Sequence, residues 1–205
     1  KSLKIKRDLG DRKGEAETLG NIGVMYYLLN NFTKALMYHE QNLEITRELG
    51  DHSGEGIALA NIGICYDILG DYTKALECYE QSLEIFRELG DRWSEASTLL
   101  NTGVVYKLLF DDTNALLYYQ QSLEIFKNSD DQISPRSLRV VLNNIGSVYR
   151  SLSNYTEALE YYEQSLEIVR AIGDRSGEGY SLNNIGEVFL AQGKYDSAED
   201  YFRKS

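Results

Sequence analysis

A short signature returns along this chain at nearly constant spacing, and it leaves little freedom in how the chain can fold. It reads Asn21-Ile22-Gly23 with Tyr26, Asn61-Ile62-Gly63 with Tyr66, Asn101-Thr102-Gly103 with Tyr106, Asn144-Ile145-Gly146 with Tyr149, and Asn184-Ile185-Gly186 with Phe189. The successive glycines lie 40, 40, 43 and 40 residues apart. A second signature keeps the same phase: Ala35-Leu36, Ala75-Leu76, Ala115-Leu116, Ala158-Leu159 and Ala198-Glu199. Within one unit the apolar residues fall at helical spacing, as in Leu19, Ile22, Tyr26 and Leu29, and then Phe32, Ala35, Leu36 and Leu43. Each unit is therefore predicted to be a helical hairpin, with helix A over 12–29 and helix B over 32–49 in the first copy. A lone hairpin of this size cannot bury its apolar face, so neighbouring hairpins must stack.

Breaker residues stand at matched places between the helices. Gly50-Asp51, Gly90-Asp91 and Gly173-Asp174 separate one unit from the next, while Gly70-Asp71, Asp111-Asp112, Asn154 and Gly193 mark the turn inside a unit. Glycine tolerates the left-handed backbone at a helix end, and the following Asp can accept from free N–H groups of the next helix. The three extra residues in the one longer spacing predict a surface loop over residues 127–133. Ser134-Pro135 then restarts the pattern as a helix cap with a preorganised first residue.

Composition narrows the function. Asp and Glu outnumber Lys and Arg 32 to 21, for a formal charge of -11, which repels phosphate backbones and argues against nucleic acid. No apolar run is long enough to cross a bilayer, and the first ten residues lack a secretory-signal pattern. Cys65 and Cys78 form no CxxC pair and fit a reducing, cytoplasmic setting; Cys65 shares its repeat position with Met25, Val105, Val148 and Val188 and reads as a small hydrophobe. His39 and His52 are the only histidines. His39 stands where other units carry an aromatic ring and reads as a packing residue, and His52 reads as loop decoration. Gly20-Asn21-Ile22-Gly23 lies inside a helical period and lacks the strand that a phosphate cradle needs. The chain is expected not to be an enzyme, with no cofactor and no metal.

Leu19, Ile22, Gly23 and Tyr26, followed by the Ala75/Tyr79, Ala115/Tyr119, Ala158/Tyr162 and Ala198/Phe202 pairs, resemble the tetratricopeptide repeat. The match departs from the family pattern at His39 and at Asn42, Ser82, Ser122 and Ser165, where the family places other residues and often stops helix B at a proline. The recurrent Leu83-Glu84-Ile85 with Leu89-Gly90-Asp91 is similar to the 40-residue repeats of the LGN and Pins spindle-orientation scaffolds and of bacterial signalling proteins. The resemblance implies an all-α fold of tandem antiparallel hairpins forming a right-handed tetratricopeptide superhelix. It would make residues 1–205 one repeat domain: 1–10 as the end of a preceding helix B, then repeats at about 11–50, 51–90, 91–133, 134–173 and a shortened 174–205. Both ends read as partial units, so the array is expected to continue past at least one of them.

The same resemblance implies that helix A lines a groove that holds a protein or peptide. In that groove it places Asn21, Asn61, Asn101, Asn144 and Asn184, with Asn143, Lys107, Arg150, Asp67, Tyr27, Leu100 and Val104 beside them. Asn is a poor choice inside a helix, so its recurrence calls for a reason. The amides either clamp the backbone of an extended peptide or bridge neighbouring helices. Lys107 and Arg150 share one repeat position and either form a basic station for an acidic partner residue or make ordinary salt bridges. The expected partner is an extended peptide or protein segment with hydrophobic anchors and an acidic residue, bound by a module of a larger signalling or assembly protein. A structural spacer, or weak self-association through apolar ends, is the alternative.

Overall fold

A computed structural model of the chain describes residues 2–128 and 134–205. Among these the fold is all-α: eleven helices and no strand, arranged as tandem hairpins. The helices are α1 (Ser2–Asp8), α2 (Arg12–Leu28), α3 (Phe32–Leu49), α4 (His52–Leu69), α5 (Tyr72–Leu89), α6 (Arg92–Leu108), α7 (Asp112–Asn128), α8 (Pro135–Ser151), α9 (Tyr155–Ala171), α10 (Arg175–Ala191) and α11 (Tyr195–Lys204). They group into two compact units, one ending at Val105 and the other beginning at Tyr106. In the first unit α1 packs on α2, α2 on α3, α3 on α4 and α4 on α5; in the second α7 packs on α8, α8 on α9, α9 on α10 and α10 on α11. Within each unit these helices therefore rest on their neighbours in sequence, as a repeat fold requires.

The turns follow the breaker chemistry. Gly50, Gly90 and Gly173 take φ of 66°, 67° and 70° at the ends of the B helices. The next residue caps the following helix: Asp51 accepts from the Gly54 N–H at 3.0 Å, Asp91 from Ser94 at 3.0 Å and Asp174 from Gly177 at 3.0 Å. The turn inside the third hairpin differs from expectation. Phe110, not an Asp, occupies the left-handed position with φ 59°, Asp111 is the cap, and Asp112 already belongs to α7. Asn30 and Ser153 hold the equivalent place elsewhere. The expected loop over 127–133 also begins later, because α7 runs through Asn128; residues 129–133 lie outside the described part. Pro135 is the first residue of α8 as expected, but Ser134 caps through its backbone carbonyl, which accepts from Ser137 at 2.9 Å, and its side chain makes no cap bond.

Within a hairpin the signature glycine meets a ring. A Cβ on Gly63 would sit 2.5 Å from Tyr79 Cε1, one on Gly146 2.7 Å from Tyr162 Cε1, and one on Gly186 2.6 Å from Phe202 Cε1. Tyr79 and Tyr162 are fully buried there, with Ala75 and Ala158 completing the close approach. The large residues of the pattern stack in the same hairpins: Tyr26 on Tyr38, Tyr149 on Tyr161 and Phe189 on Tyr201, with centroids 5.3–5.5 Å apart. The core is accordingly a string of clusters. Ala16, Leu19 and Ile45 form one and Ala75, Tyr79 and Val105 another in the first unit, and Tyr162, Val169, Leu182 and Ile185 centre one in the second.

His39 fills the ring position of the first hairpin, against Gly23. It is buried, its Nδ1 finds no hydrogen-bond partner, and burial pushes its pKa down from 6.5 to about 4. Protonation is thus favoured in the unfolded chain over this range, and stability falls as pH drops from about 6.5 towards 4. Relative to a variant without this group, the native chain should lose about 2 kcal/mol between pH 7 and 5. His39→Phe, which copies the ring of the fifth hairpin, should raise the melting temperature at pH 7 and remove that extra loss. Urea unfolding at the two pH values measures both. Gly146→Ala should cost about 1–3 kcal/mol by driving a methyl into the Tyr162 ring, read in the same assay.

Candidate functional site

A cleft of about 360 Å³ opens in the first unit between α2 and α4. One face of α2 supplies Lys13, Glu17, Gly20, Asn21 and Val24, three or four residues apart, and α4 supplies Gly54, Ile57 and Asn61 at the same spacing. Asn42 and Thr46 of α3 line it as well. Small residues hold it open: a Cβ on Gly20 would approach Asn42 Nδ2 to 3.1 Å, and one on Gly54 would run into Thr46 and its own cap Asp51. Val24 and Ile57 leave 42% and 48% of their surface exposed. Among the described residues neither the Asn21 nor the Asn61 side chain has a hydrogen-bond partner, so their amides are unused within the chain. The cleft thus offers two unspent amides and two aliphatic patches, with Glu17 and Asp51 opposite Lys13 in charge.

The remaining expected site residues are distributed unevenly. Tyr27 is exposed, with its ring edge-on to Phe32 at 5.7 Å. Asp67 is half-buried, and that burial raises its carboxyl pKa. Leu100, Asn101, Val104 and Asn144 are half-buried on α6 and α8. Asn143 and Asn184 lie in the interior of the second unit: Asn143 Nδ2 donates to Ser165 Oγ at 2.7 Å and to the Arg139 carbonyl at 3.0 Å, and Asn184 Nδ2 donates to Asn143 Oδ1 at 3.3 Å. Ser165 continues the network to Ser181 at 3.1 Å. These two amides brace helices against one another. Lys107 Nζ lies 2.7 Å from Asp112 Oδ1 and 2.7 Å from Ser151 Oγ, and Arg150 pairs with Glu187. Both cations are already neutralised by side chains of their own unit.

Two things escaped sequence reasoning. The helix B residues Asn42 and Thr46 border the cleft because α2 and α4 part above α3, which no periodicity of helix A reveals. The Lys107–Asp112 pair spans a turn, and Arg150–Glu187 joins the A helices of consecutive hairpins; repeat arithmetic could have suggested the second, since Glu187 stands one turn short of the Arg150-equivalent position. The cysteines and histidines lie apart from the cleft. Cys65 and Cys78 have their thiol pKa pushed up by burial to about 11, His39 is enclosed, and His52 is exposed with Nδ1 3.9 Å from Glu55. Among the described residues no three metal-ligating side chains converge, and no helix is long and apolar enough to cross a membrane.

The model of the family described as tetratricopeptide repeat matches residues 14–88, 68–128 and 137–205. The chain belongs to the tetratricopeptide repeat family. Repeats of this family typically act as non-catalytic scaffolds for protein interaction. Its fold is similar to that of BtubC from P. vanneervenii, with a TM-score of 0.86 at 24% identity over 99% of this chain and 85% of that one. It is also similar to a putative kinesin light chain from Podosopora anserina with nearly identical repeats, at TM-score 0.74 and 17% identity over 92% of each chain. A Rap protein solved with Competence and Sporulation Factor gives TM-score 0.77 and 16% identity over 93% of this chain and 53% of that one. No curated protein matches the chain.

The two environments of asparagine separate in a stability measurement. Asn143→Ala strips partners from the buried Asn184 and Ser165 and should cost roughly 1–3 kcal/mol. Asn21→Ala removes an exposed amide and should change stability by less than about 0.5 kcal/mol. Urea midpoints of the two variants check the contrast.

Proposed function

We propose that this tetratricopeptide chain is a scaffold that holds an extended segment of a partner protein along its A helices, with the α2–α4 cleft as the main station. The observation that carries this reading is the pair Asn21 and Asn61: equivalent residues of consecutive hairpins, in one cleft, each with an amide that the chain itself leaves unused. Each amide offers two donors and an acceptor, the complement of a peptide group. Val24 and Ile57 supply apolar contacts for side chains of the segment, and Tyr27 extends that surface further along α2. Asn101 is the candidate for continuing the contact on α6 in the same unit. Asn143 and Asn184 are left to internal bracing. An acidic partner residue gains little at Lys107 or Arg150, because it must compete with Asp112 and Glu187. The Rap protein solved with Competence and Sporulation Factor supports the use of this fold for holding a ligand. The free thiols suit a reducing compartment such as the cytoplasm.

Co-purification followed by a peptide array of the captured partner supplies the ligand for the test. Asn21→Ala with Asn61→Ala should weaken that peptide at least tenfold, about the worth of one or two peptide hydrogen bonds, with the melting temperature unchanged. Unchanged affinity in the folded double variant overturns the clamp. Sedimentation velocity addresses the spacer or self-association alternative: assembly that survives the double variant and responds to charge placed at the exposed Ile5 and Leu9 of α1 favours it.

A further inference from the structure

Arginine pairing among the described residues has one gap. Among the described residues, the arginines other than Arg136, Arg139 and Arg175 each have a carboxylate within salt-bridge distance. Those three have none, and all belong to the second unit. Arg136 and Arg175 line one cleft of about 540 Å³, together with Ser134, Pro135, Ile172 and Asp174. Arg139 stands one turn beyond Arg136 on α8, with its Nε enclosed and unpartnered.

Comparison between repeats shows how the gap arises. Helices α2, α4, α6 and α10 carry a glutamate in the first turn, Glu15, Glu55, Glu95 or Glu178, which takes the arginine at the end of the preceding B helix at 2.6–3.0 Å. In α8 that position is Leu138, and the first turn holds no acid. The aspartate cap of the other A helices is Ser134 here. Arg175 is the counterpart of Arg12, which pairs with both Glu15 and Glu48. Glu178, the counterpart of Glu15, pairs with Arg170 and not with Arg175. Three carboxylates that neutralise this edge in other repeats are thus missing or engaged. The one acid among the described residues of the cleft, Asp174, is committed through Oδ1 to the Gly177 N–H at 3.0 Å.

We propose that this cleft is a docking station for a short acidic segment of a partner protein, whose adjacent carboxylates engage the guanidiniums of Arg136 and Arg175. Guanidinium and carboxylate match in planar, two-bond geometry, which gives direction as well as attraction. Ile172, 43% exposed, and Pro135 offer apolar surface for the methylenes of glutamate. An extended polyanion such as nucleic acid would meet the formal charge of -11 along its length, whereas one or two carboxylates mainly sense the groups within a Debye length of about 8–10 Å. The station is separate from the asparagine cleft of the first unit and does not depend on it.

Nitrogen-resolved NMR of the full chain reads the arginine Nε–Hε signals directly. The probes are blocked tetraglutamate, blocked tetraglutamine and inorganic phosphate at matched ionic strength. Tetraglutamate should shift Arg136 and Arg175 saturably at millimolar concentration, tetraglutamine should not, and rising salt should weaken the effect. Arg136→Gln with Arg175→Gln, both exposed positions, should lower the tetraglutamate affinity about tenfold, while Asn21→Ala with Asn61→Ala leaves it unaltered. Shifts spread evenly over the salt-bridged arginines, no saturable shift, or unchanged affinity in the arginine variant overturns the proposal. So does phosphate that reproduces the shifts at lower concentration than tetraglutamate, which makes the cleft a site for free oxyanions.

Discussion

Ring against bare backbone is the contact on which the hairpins depend. Where helix A carries Gly63, Gly146 or Gly186, the ring of Tyr79, Tyr162 or Phe202 lies so close that not even a methyl fits between them. That contact fixes the separation and register of the two helices, and fixing them places every other position of the repeat. The stacked aromatic pairs lie one helical turn further along, and the alanine of helix B occupies the remaining narrow point. The first hairpin keeps the geometry with a histidine in place of the ring, at the expense of an enclosed nitrogen that nothing satisfies.

A second regularity runs between hairpins. The arginine near the end of helix B reaches the first-turn glutamate of the next helix A, in a bond made on both sides of the unit boundary: by Arg7, Arg47 and Arg87 before it and by Arg170 after it. Partly exposed pairs of this kind contribute little individually, and their regular geometry suits a role in register more than in stability. The α7–α8 junction departs from the rule, since Leu138 replaces the glutamate and Lys127 faces no carboxylate among the described residues. Among the described residues, that edge therefore carries fewer acids than the matching edges of the other repeats.

The asparagine of the signature shows how one residue type takes different roles at one repeat position. Beside Gly20 and Ala60, Asn21 and Asn61 border an open cleft with unspent amides. Beside Asn183, and across from Asn143, Asn184 is covered and bound. A residue of the previous repeat makes the difference: Asn143 of α8 meets Asn184 and joins Ser165 and Ser181 in a buried network. An identical letter in five repeats therefore does not mean an identical function.

The sequence by itself determined the all-α class, the hairpin unit, the positions of nearly every turn, and the family, because these follow from the period of apolar residues and from local backbone preferences that act over a few residues. That the recurring glycine meets the helix B ring was decided by the packing of the two helices. Phe110 in a left-handed turn was not legible, because nothing local favours a bulky aromatic there. The site was legible only as a set of positions. Which asparagines stay free, that Lys107 and Arg150 are already paired, and that Arg136 and Arg175 are not, were decided by tertiary structure. The physical reason is that availability depends on partners brought from other helices and other repeats, and side-chain pairing across such distances leaves no periodic trace in the chain.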